Sequence, residues 1–208
     1  MSPIALVALA LLAADEPKWE LAKEDDGIKI YSRARDGEDV REMKAMGLMD
    51  ATPQEVWKAI RDYPHYTKTM PYVQECKVLA TEDGGKNMWV YTRLDLPFVS
   101  QRDYVLKIVD ETNGSPTMKV SWTEWTGDDK NLPEHDGVVR LKINDGYWTL
   151  EPKEDGKKTF ATYYVHTDPG GSLPKWIANK ANSTAVPNVF SAIKKVVADD
   201  RAAAAQKK

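Results

Sequence analysis

Short runs of alternating apolar and polar residues fill the middle of the chain, and they predict β-strands. Asx-Gly pairs lie between consecutive runs, at Asn113-Gly114, Asp145-Gly146 and Asp155-Gly156, and such pairs favour tight hairpins. The pattern therefore predicts a long, largely antiparallel sheet. The predicted strands are Trp19–Leu21, Ile28–Ser32, Val40–Met49, Cys76–Ala80, Asn87–Leu94, Tyr104–Asp110, Met118–Trp125, Val138–Ile143, Tyr147–Glu151 and Thr159–His166.

Two segments have helical spacing instead. Thr52-Pro53-Gln54-Glu55 has the form of a capping box with proline at the first helical position, and Pro64 ends that helix after Tyr63. Near the C-terminus, residues 172–197 carry one wide apolar stripe that predicts a long amphipathic helix. Pro187 should either kink this helix or lie where a preceding carbonyl is already free. One helix, a long strand meander and a final helix predict a single α+β domain.

The N-terminus carries an unbroken apolar run, Ile4 to Leu12. As a helix it would rise about 14 Å, too short for a hydrocarbon core of roughly 30 Å. Its length suits a signal peptide cleaved near Ala14, although no basic residue precedes Lys18. We therefore expect residues 1–14 to be a signal peptide, 15–198 the folded domain and 199–208 a disordered tail. The expected location is periplasmic or secreted.

Composition narrows the possible chemistry. Lys and Arg total 29 against 32 Asp and Glu, a net charge of -3, which argues against nucleic acid held by a basic surface. The single cysteine, Cys76, excludes an internal disulfide, and there are only three histidines. We expect no metal, no cofactor and no catalytic residue. The 7 Trp, 9 Tyr and 3 Phe either fill the core or line a ligand cavity, and composition does not decide between these.

Three motifs together resemble START domains, the lipid-transfer family related to steroidogenic acute regulatory protein. LPFVSQRDY at 96–104 resembles the proline and arginine–aspartate segment of that family. NLPEHDGVVR at 131–140 is similar to its proline–glutamate segment, and DPGGSLPKWIAN at 168–179 to the start of its last helix. The resemblance covers about Trp19 to Lys195. It implies a helix-grip fold, in which a curved antiparallel sheet wraps around a long C-terminal helix and encloses a hydrophobic tunnel.

The resemblance also implies a function and a site. A tunnel of this kind would hold one lipid or other hydrophobic molecule and carry it through water, with transient membrane contact, as a monomer. The gate would be the helix at 172–197 and the Asp128–Asp136 connection, with Gly170 and Gly171 as hinge. Strand parity places these side chains in the tunnel: Trp89, Tyr91, Arg93, Tyr104, Leu106, Ile108, Val120, Trp122, Val139, Leu141, Tyr164, Trp176, Val186 and Phe190.

One departure from the family affects the choice of lipid. Sterol-binding relatives pair an acid and a base inside the tunnel, where this chain has Arg93 and Ile108. An inward Arg93 would need Glu124 or an anionic head group as its partner, whereas a surface Arg93 would need neither. The neighbouring Arg102 and Asp103 are interpreted as a structural pair that pins a loop.

Two other functions stay open at this point. Related helix-grip proteins include polyketide cyclases and aromatases, which need a general acid or base in the tunnel. The tunnel candidates for that role are Tyr91, Arg93, Glu124, Tyr164 and His166, and they form no recognised dyad. A lipid-sensing module is the other alternative, and it would require a separate partner.

Overall fold

The computed structural model describes residues 18–38, 40–97, 99–130 and 132–206, so the expected signal peptide lies outside the described residues. Three helices are present in this part of the chain: α1 (Pro53–Ile60), α2 (Tyr66–Thr69) and α3 (Lys175–Ala205). The strands are β1 (Glu20–Asp25), β2 (Ile28–Arg33), β3 (Glu42–Met49), β4 (Val73–Glu82), β5 (Asn87–Leu94), β6 (Arg102–Asp110), β7 (Met118–Glu124), β8 (Val139–Arg140), β9 (Ile143–Lys153) and β10 (Lys158–Asp168).

These strands form one curved sheet in the order β1-β2-β3-β10-β9-β7-β6-β5-β4. Every pairing along this path is antiparallel, and the short β8 pairs with β6 in parallel. The last strand, β10, lies in the interior of the sheet, between β3 and β9. The prediction of a largely antiparallel sheet is confirmed.

Two of the predicted hairpin turns form as expected, and one does not. Gly114 and Gly156 have positive φ angles of 74° and 80°, the left-handed conformation that glycine adopts most easily. Gly146 instead lies inside β9, which runs unbroken through Asp145. A Cβ atom on Gly146 would come within 2.4 Å of the Trp122 ring, so glycine is required there by close packing and not by a turn.

Helix α1 begins where the sequence predicts. The backbone N–H of Glu55 donates to Thr52 Oγ1, and the Glu55 carboxylate accepts from the Thr52 backbone N–H at 2.8 Å, which completes the capping box. The helix ends at Ile60, earlier than predicted. A 3-10 turn (Tyr63–His65) and α2 follow it, and neither was predicted from the sequence.

Helix α3 starts later and ends later than predicted. It begins at Lys175, after Pro174 at the N-cap position, and continues through Pro187 to Ala205. The segment that we expected to be disordered from Asp199 is therefore helical as far as Ala205. No helix in the described ranges has the length and apolar character needed to cross a bilayer.

Helix α3 lies across the concave face of the sheet and buries its apolar stripe there. Phe190 is fully buried, with its ring centroid 5.5 Å from that of Trp148 on β9. Val186, Ile193 and Val197 are buried on the same stripe. Because one helix grips a curved sheet, the helix-grip prediction is confirmed.

Candidate functional site

A cavity of about 180 Å³ lies between α3 and the concave face of the sheet. Its wall includes a continuous aromatic surface, because Tyr163 stacks on Trp148 at 4.6 Å between ring centroids and contacts Trp122 at 5.8 Å. The segment between α1 and β4 closes one side through Tyr63, Tyr66 and Met70, and α3 closes another. Most of the lining is therefore hydrocarbon or aromatic ring.

Half of the side chains that the sequence placed in the tunnel do line this cavity. On β6, on β7 and in the stretch after β8, the side chains predicted to face inward do line the cavity. The predicted residues on the cavity wall are Tyr104, Leu106, Ile108, Val120, Trp122, Leu141 and Val186.

On strand β5, the prediction of which side chains face the cavity is wrong. Thr92 and Leu94 line the cavity, so Trp89, Tyr91 and Arg93 point to the opposite face of the sheet. The aromatic residues misled the assignment because they serve a second, outer core. There Trp89 packs edge-to-face on Trp125 at 5.7 Å, with Tyr91 and Val105 buried beside them.

The described residues of the connection at 128–136 are absent from the cavity lining, and two of them, Lys130 and Leu132, contact this outer core. Leu132 packs against the outer cluster, and the Lys130 ammonium lies 4.4 Å from the Trp89 ring centroid. Both terminal nitrogens of Arg140 donate to the Leu132 carbonyl at 3.2 Å. The prediction that this connection is the gate is wrong, because it packs on the convex side of the sheet.

Four further predicted residues lie outside the cavity wall. Tyr164 points outward and donates its hydroxyl to Glu42 at 2.5 Å, since its neighbours Tyr163 and Val165 face inward. Val139 packs beside Gly170, Trp176 is 70% exposed, and Phe190 fills the core next to the cavity.

The charged residues of β5 and β6 lie on different faces of the sheet. Arg93 on the outer face pairs with Glu75 of β4 at 3.2 Å, so Glu124 is not its partner. Asp103, also on the outer face, accepts two hydrogen bonds from Arg140, at 2.6 and 2.9 Å, and one from the Tyr91 hydroxyl at 3.2 Å. The pairing of Asp103 is thus structural, as expected, but its partner is Arg140 and not Arg102.

Arg102 faces the cavity instead, and the sequence reading did not place it there. Only 2% of its surface is exposed. Its Nε donates to the Pro169 carbonyl at 3.2 Å, and Nη1 donates to the Ser100 carbonyl. Arg102 therefore joins the two loops that precede β6 and α3. Its alternation with Tyr104 and Leu106 along β6 could have revealed its direction.

A group of uncharged polar side chains accompanies Arg102 at this end of the cavity. Thr167 donates its hydroxyl to Asn144 Oδ1 at 3.2 Å, and Trp122 Nε1 donates to the same oxygen at 3.3 Å. Asn182 of α3 donates to the Thr167 carbonyl at 3.0 Å. The inner ends of β9, β10 and α3 are thus tied together by amide and hydroxyl groups.

Burial raises the pKa of several groups in this part of the molecule. It raises the pKa of the Tyr63, Tyr104 and Tyr163 phenols well above their usual range, so these hydroxyls stay protonated. Burial also raises the pKa of Glu124 to about 8. Both carboxylate oxygens of Glu124 are buried without a hydrogen-bond partner among the described residues.

A second cavity of about 330 Å³ adjoins the first. The two share Tyr72, Leu96 and Ala185, which form the wall between them. The outer side of the second cavity is formed by Pro97 and by the first turns of α3, including Trp176. Together the two cavities extend from the inner aromatic wall to the N-terminal end of α3.

Comparison with known proteins agrees with this architecture. Residues 49–194 match the family model described as polyketide cyclase/dehydrase and lipid transport. An uncharacterized protein of Pseudomonas aeruginosa is 32% identical over 77% of this chain and 77% of its own length. Mouse phosphatidylcholine transfer protein is 29% identical over 86% of this chain and 82% of its own length.

Solved structures show the same fold. A STAR-related lipid transfer protein from Xanthomonas axonopodis superposes with a TM-score of 0.76 at 31% identity, covering 86% of this chain and 98% of that one. Human StAR-related lipid transfer protein 5 has a TM-score of 0.78 at 19% identity, covering 88% of each chain. The chain belongs to the polyketide cyclase/dehydrase and lipid transport family, as a START-domain protein.

Proposed function

We propose that this protein binds one lipid molecule in the cavity under α3 and transfers it between membranes. The observation that carries the proposal is the apolar, aromatic cavity between α3 and the sheet, with a second cavity leading outward. The phosphatidylcholine transfer proteins and the STAR-related lipid transfer protein that resemble this chain support it. Relative to water, burying several hundred Å² of acyl chain is worth about 10 kcal/mol before the costs of binding, so the cavity can replace the bilayer interior for a lipid in transit.

The size of the cavity implies that part of its wall moves. A volume of about 180 Å³ is smaller than a diacyl lipid requires, so the lipid would occupy both cavities after Tyr72, Leu96 and Ala185 separate. Pro187 has no N–H to donate to the Ser183 carbonyl, so α3 lacks one helical bond just beyond Ala185. The gate is thus the first half of α3 together with the loop at 95–97.

Trp176 supports contact between this gate and a membrane. Its side chain is 70% exposed beside the outer cavity, and Lys180 lies one turn further along α3. An exposed tryptophan next to lysine suits the interface of a bilayer, where the ring lies at the head-group level.

Replacing Trp176 with alanine is expected to slow lipid transfer between vesicles several-fold, because the gate then contacts the bilayer more weakly. Retention of one lipid per protein should fall much less than the transfer rate, because Trp176 forms only the exposed outer edge of the second cavity. The matched control is Leu48→Ala, which removes a side chain that is 45% exposed on β3. An unchanged transfer rate in Trp176→Ala would contradict this role.

A vesicle assay tests the proposed transfer. Donor vesicles carry pyrene-labelled phosphatidylcholine at a self-quenching density, and acceptor vesicles carry none. Nanomolar protein should accelerate the rise in monomer fluorescence many-fold over spontaneous exchange. A rate equal to the spontaneous one, for both phosphatidylcholine and a pyrene-labelled fatty acid, would contradict the proposal.

We further propose that the protein acts without catalysis. Four candidates for an acid or base, Tyr91, Arg93, Tyr164 and His166, belong to the outer face of the sheet, where His166 Nε2 lies 2.5 Å from the Glu38 carboxylate. The cavity tyrosines hold their protons too tightly to serve as bases near neutral pH. The cyclase alternative depends on Glu124, whose pKa of about 8 suits a general acid but whose side chain is not part of the cavity lining.

Location and assembly are also proposals. We infer export to the periplasm or exterior from the apolar run at 4–12, and a monomeric carrier because residues of one chain line both described cavities. N-terminal sequencing of the mature protein should find a start near Asp15. An intact N-terminus on soluble cytosolic protein would contradict export.

A further inference from the structure

Arg102 is a buried cation whose charge no carboxylate offsets among the described residues. The two groups that it contacts, the carbonyls of Pro169 and Ser100, are neutral. Burial lowers the pKa of its guanidinium, yet arginine stays charged at neutral pH. A buried charge without a counter-ion is costly, so this position is expected to have a partner that arrives with the ligand.

The geometry directs the remaining donor capacity of Arg102 toward the cavity. Nε and Nη1 are occupied by backbone carbonyls, which leaves Nη2 without a hydrogen-bond partner in the described part of the chain. The nearest acid in sequence, Asp103, lies on the other face of the sheet and is held by Arg140. Within the described lining, Arg102 is the one charged side chain.

Asn144 presents a second donor on the same wall. The Trp122 indole nitrogen can only donate, so the Asn144 atom that faces it is the amide oxygen. The amide nitrogen of Asn144 is left without a partner among the described residues, although only 7% of the residue is exposed. Asn144 is held by Thr167, near the end of β10, and Arg102 is held by Pro169, just after β10. Both donors are therefore fixed by hydrogen bonds to the same short stretch of chain.

We propose that Arg102 Nη2 and the Asn144 amide bind the anionic group of the lipid, a phosphate or a carboxylate. This inference rests on the proposed lipid-binding function and names the ligand class that the cavity prefers. A guanidinium and an amide that are already fixed by other hydrogen bonds lose little freedom on binding. The acyl chains would then extend along the aromatic wall formed by Trp122, Trp148 and Tyr163.

The test compares lipids that differ in the charged group. Full-length protein is incubated with vesicles containing equal amounts of phosphatidylcholine, oleic acid and diacylglycerol, and the retained lipid is identified by native mass spectrometry. The wild type should retain phosphatidylcholine or oleic acid at least tenfold over diacylglycerol. The lipid that dominates shows whether phosphate or carboxylate is bound.

Two variants test the assigned residues. Arg102→Met and Asn144→Asp should each reduce that preference about tenfold, because one removes the positive charge and the other adds a repelling carboxylate. Arg93→Met is the matched control, because Arg93 lies on the outer face, where it pairs with Glu75. The lipid preference of this variant should equal that of the wild type.

Failure of the inference is distinguishable from failure of the proposed function. Equal retention of all three lipids by the wild type, or an unchanged preference in Asn144→Asp, would overturn the anion site while lipid binding stands. No retained lipid in the wild type would overturn both. If Arg102→Met does not fold, Asn144→Asp decides the question alone.

Discussion

Replacing Ala185 with tryptophan is expected to reduce lipid retention by about a hundredfold or more. Ala185 lies on α3 in the wall shared by the two cavities, so a lipid that occupies both cavities would lie against it. An indole ring there would fill space that the acyl chains require, removing several kcal/mol of burial at about 25 cal/mol per Å². The measurement is labelled phosphatidylcholine retained after gel filtration.

The same substitution should change the melting temperature by only a few degrees, because the ring enters existing space and not a close-packed core. Ser191→Trp is the control, since Ser191 is exposed on the same helix. It should bind lipid like the wild type. Full lipid retention in Ala185→Trp would show that the ligand does not pass between or occupy these cavities.

Replacing Phe190 with alanine is expected to destabilise the protein by about 3–5 kcal/mol. Phe190 is fully buried between α3 and the sheet, and its ring contacts Trp148 and lies against Gly47. Its removal leaves a cavity that the surrounding sheet cannot close. For a domain of this size, the melting temperature should fall by roughly 6–20 °C, measured by calorimetry.

Phe160→Ala is the matched control for that loss. Phe160 is half-buried on β10, and the Lys153 ammonium lies 5.9 Å from its ring centroid. Its removal should cost under about 1.5 kcal/mol. Equal losses from the two substitutions would contradict the assignment of Phe190 to the central core.

The fold could be predicted from the sequence because its determinants are local. The capping box at Thr52 sets the start of α1, and glycine at positive φ sets two hairpins. The turn predicted at Asp145-Gly146 was wrong, because an Asx-Gly pair has the same sequence whether it lies inside a strand or in a hairpin turn. The sequence could not show that the Trp122 ring packs against that glycine.

The site could be predicted only in part, because the face of a strand depends on what covers each side. On β6 and β7 the cavity face carries the larger apolar residues, so parity was read correctly. On β5 the aromatic residues Trp89 and Tyr91 face a second core, which the connection at 128–136 covers. Sequence spacing does not reveal that both faces of β5 are buried.

Arg102 shows a different limit. The sequence indicated a pair with Asp103, but neighbouring residues on a strand point to opposite faces. Asp103 binds Arg140 on the outer face, and Arg102 is left on the cavity wall. The proposed anion-binding role of Arg102 could be recognised only after the structure separated the two faces of the strand.

Native mass spectrometry of the protein after incubation with phosphatidylcholine and oleic acid vesicles tests whether the cavities under α3 hold one lipid molecule. We expect a mass increase equal to one lipid molecule per protein, which persists after gel filtration and is lost in Ala185→Trp. A protein that carries no lipid, or that carries variable numbers of lipids equally in both variants, would contradict it.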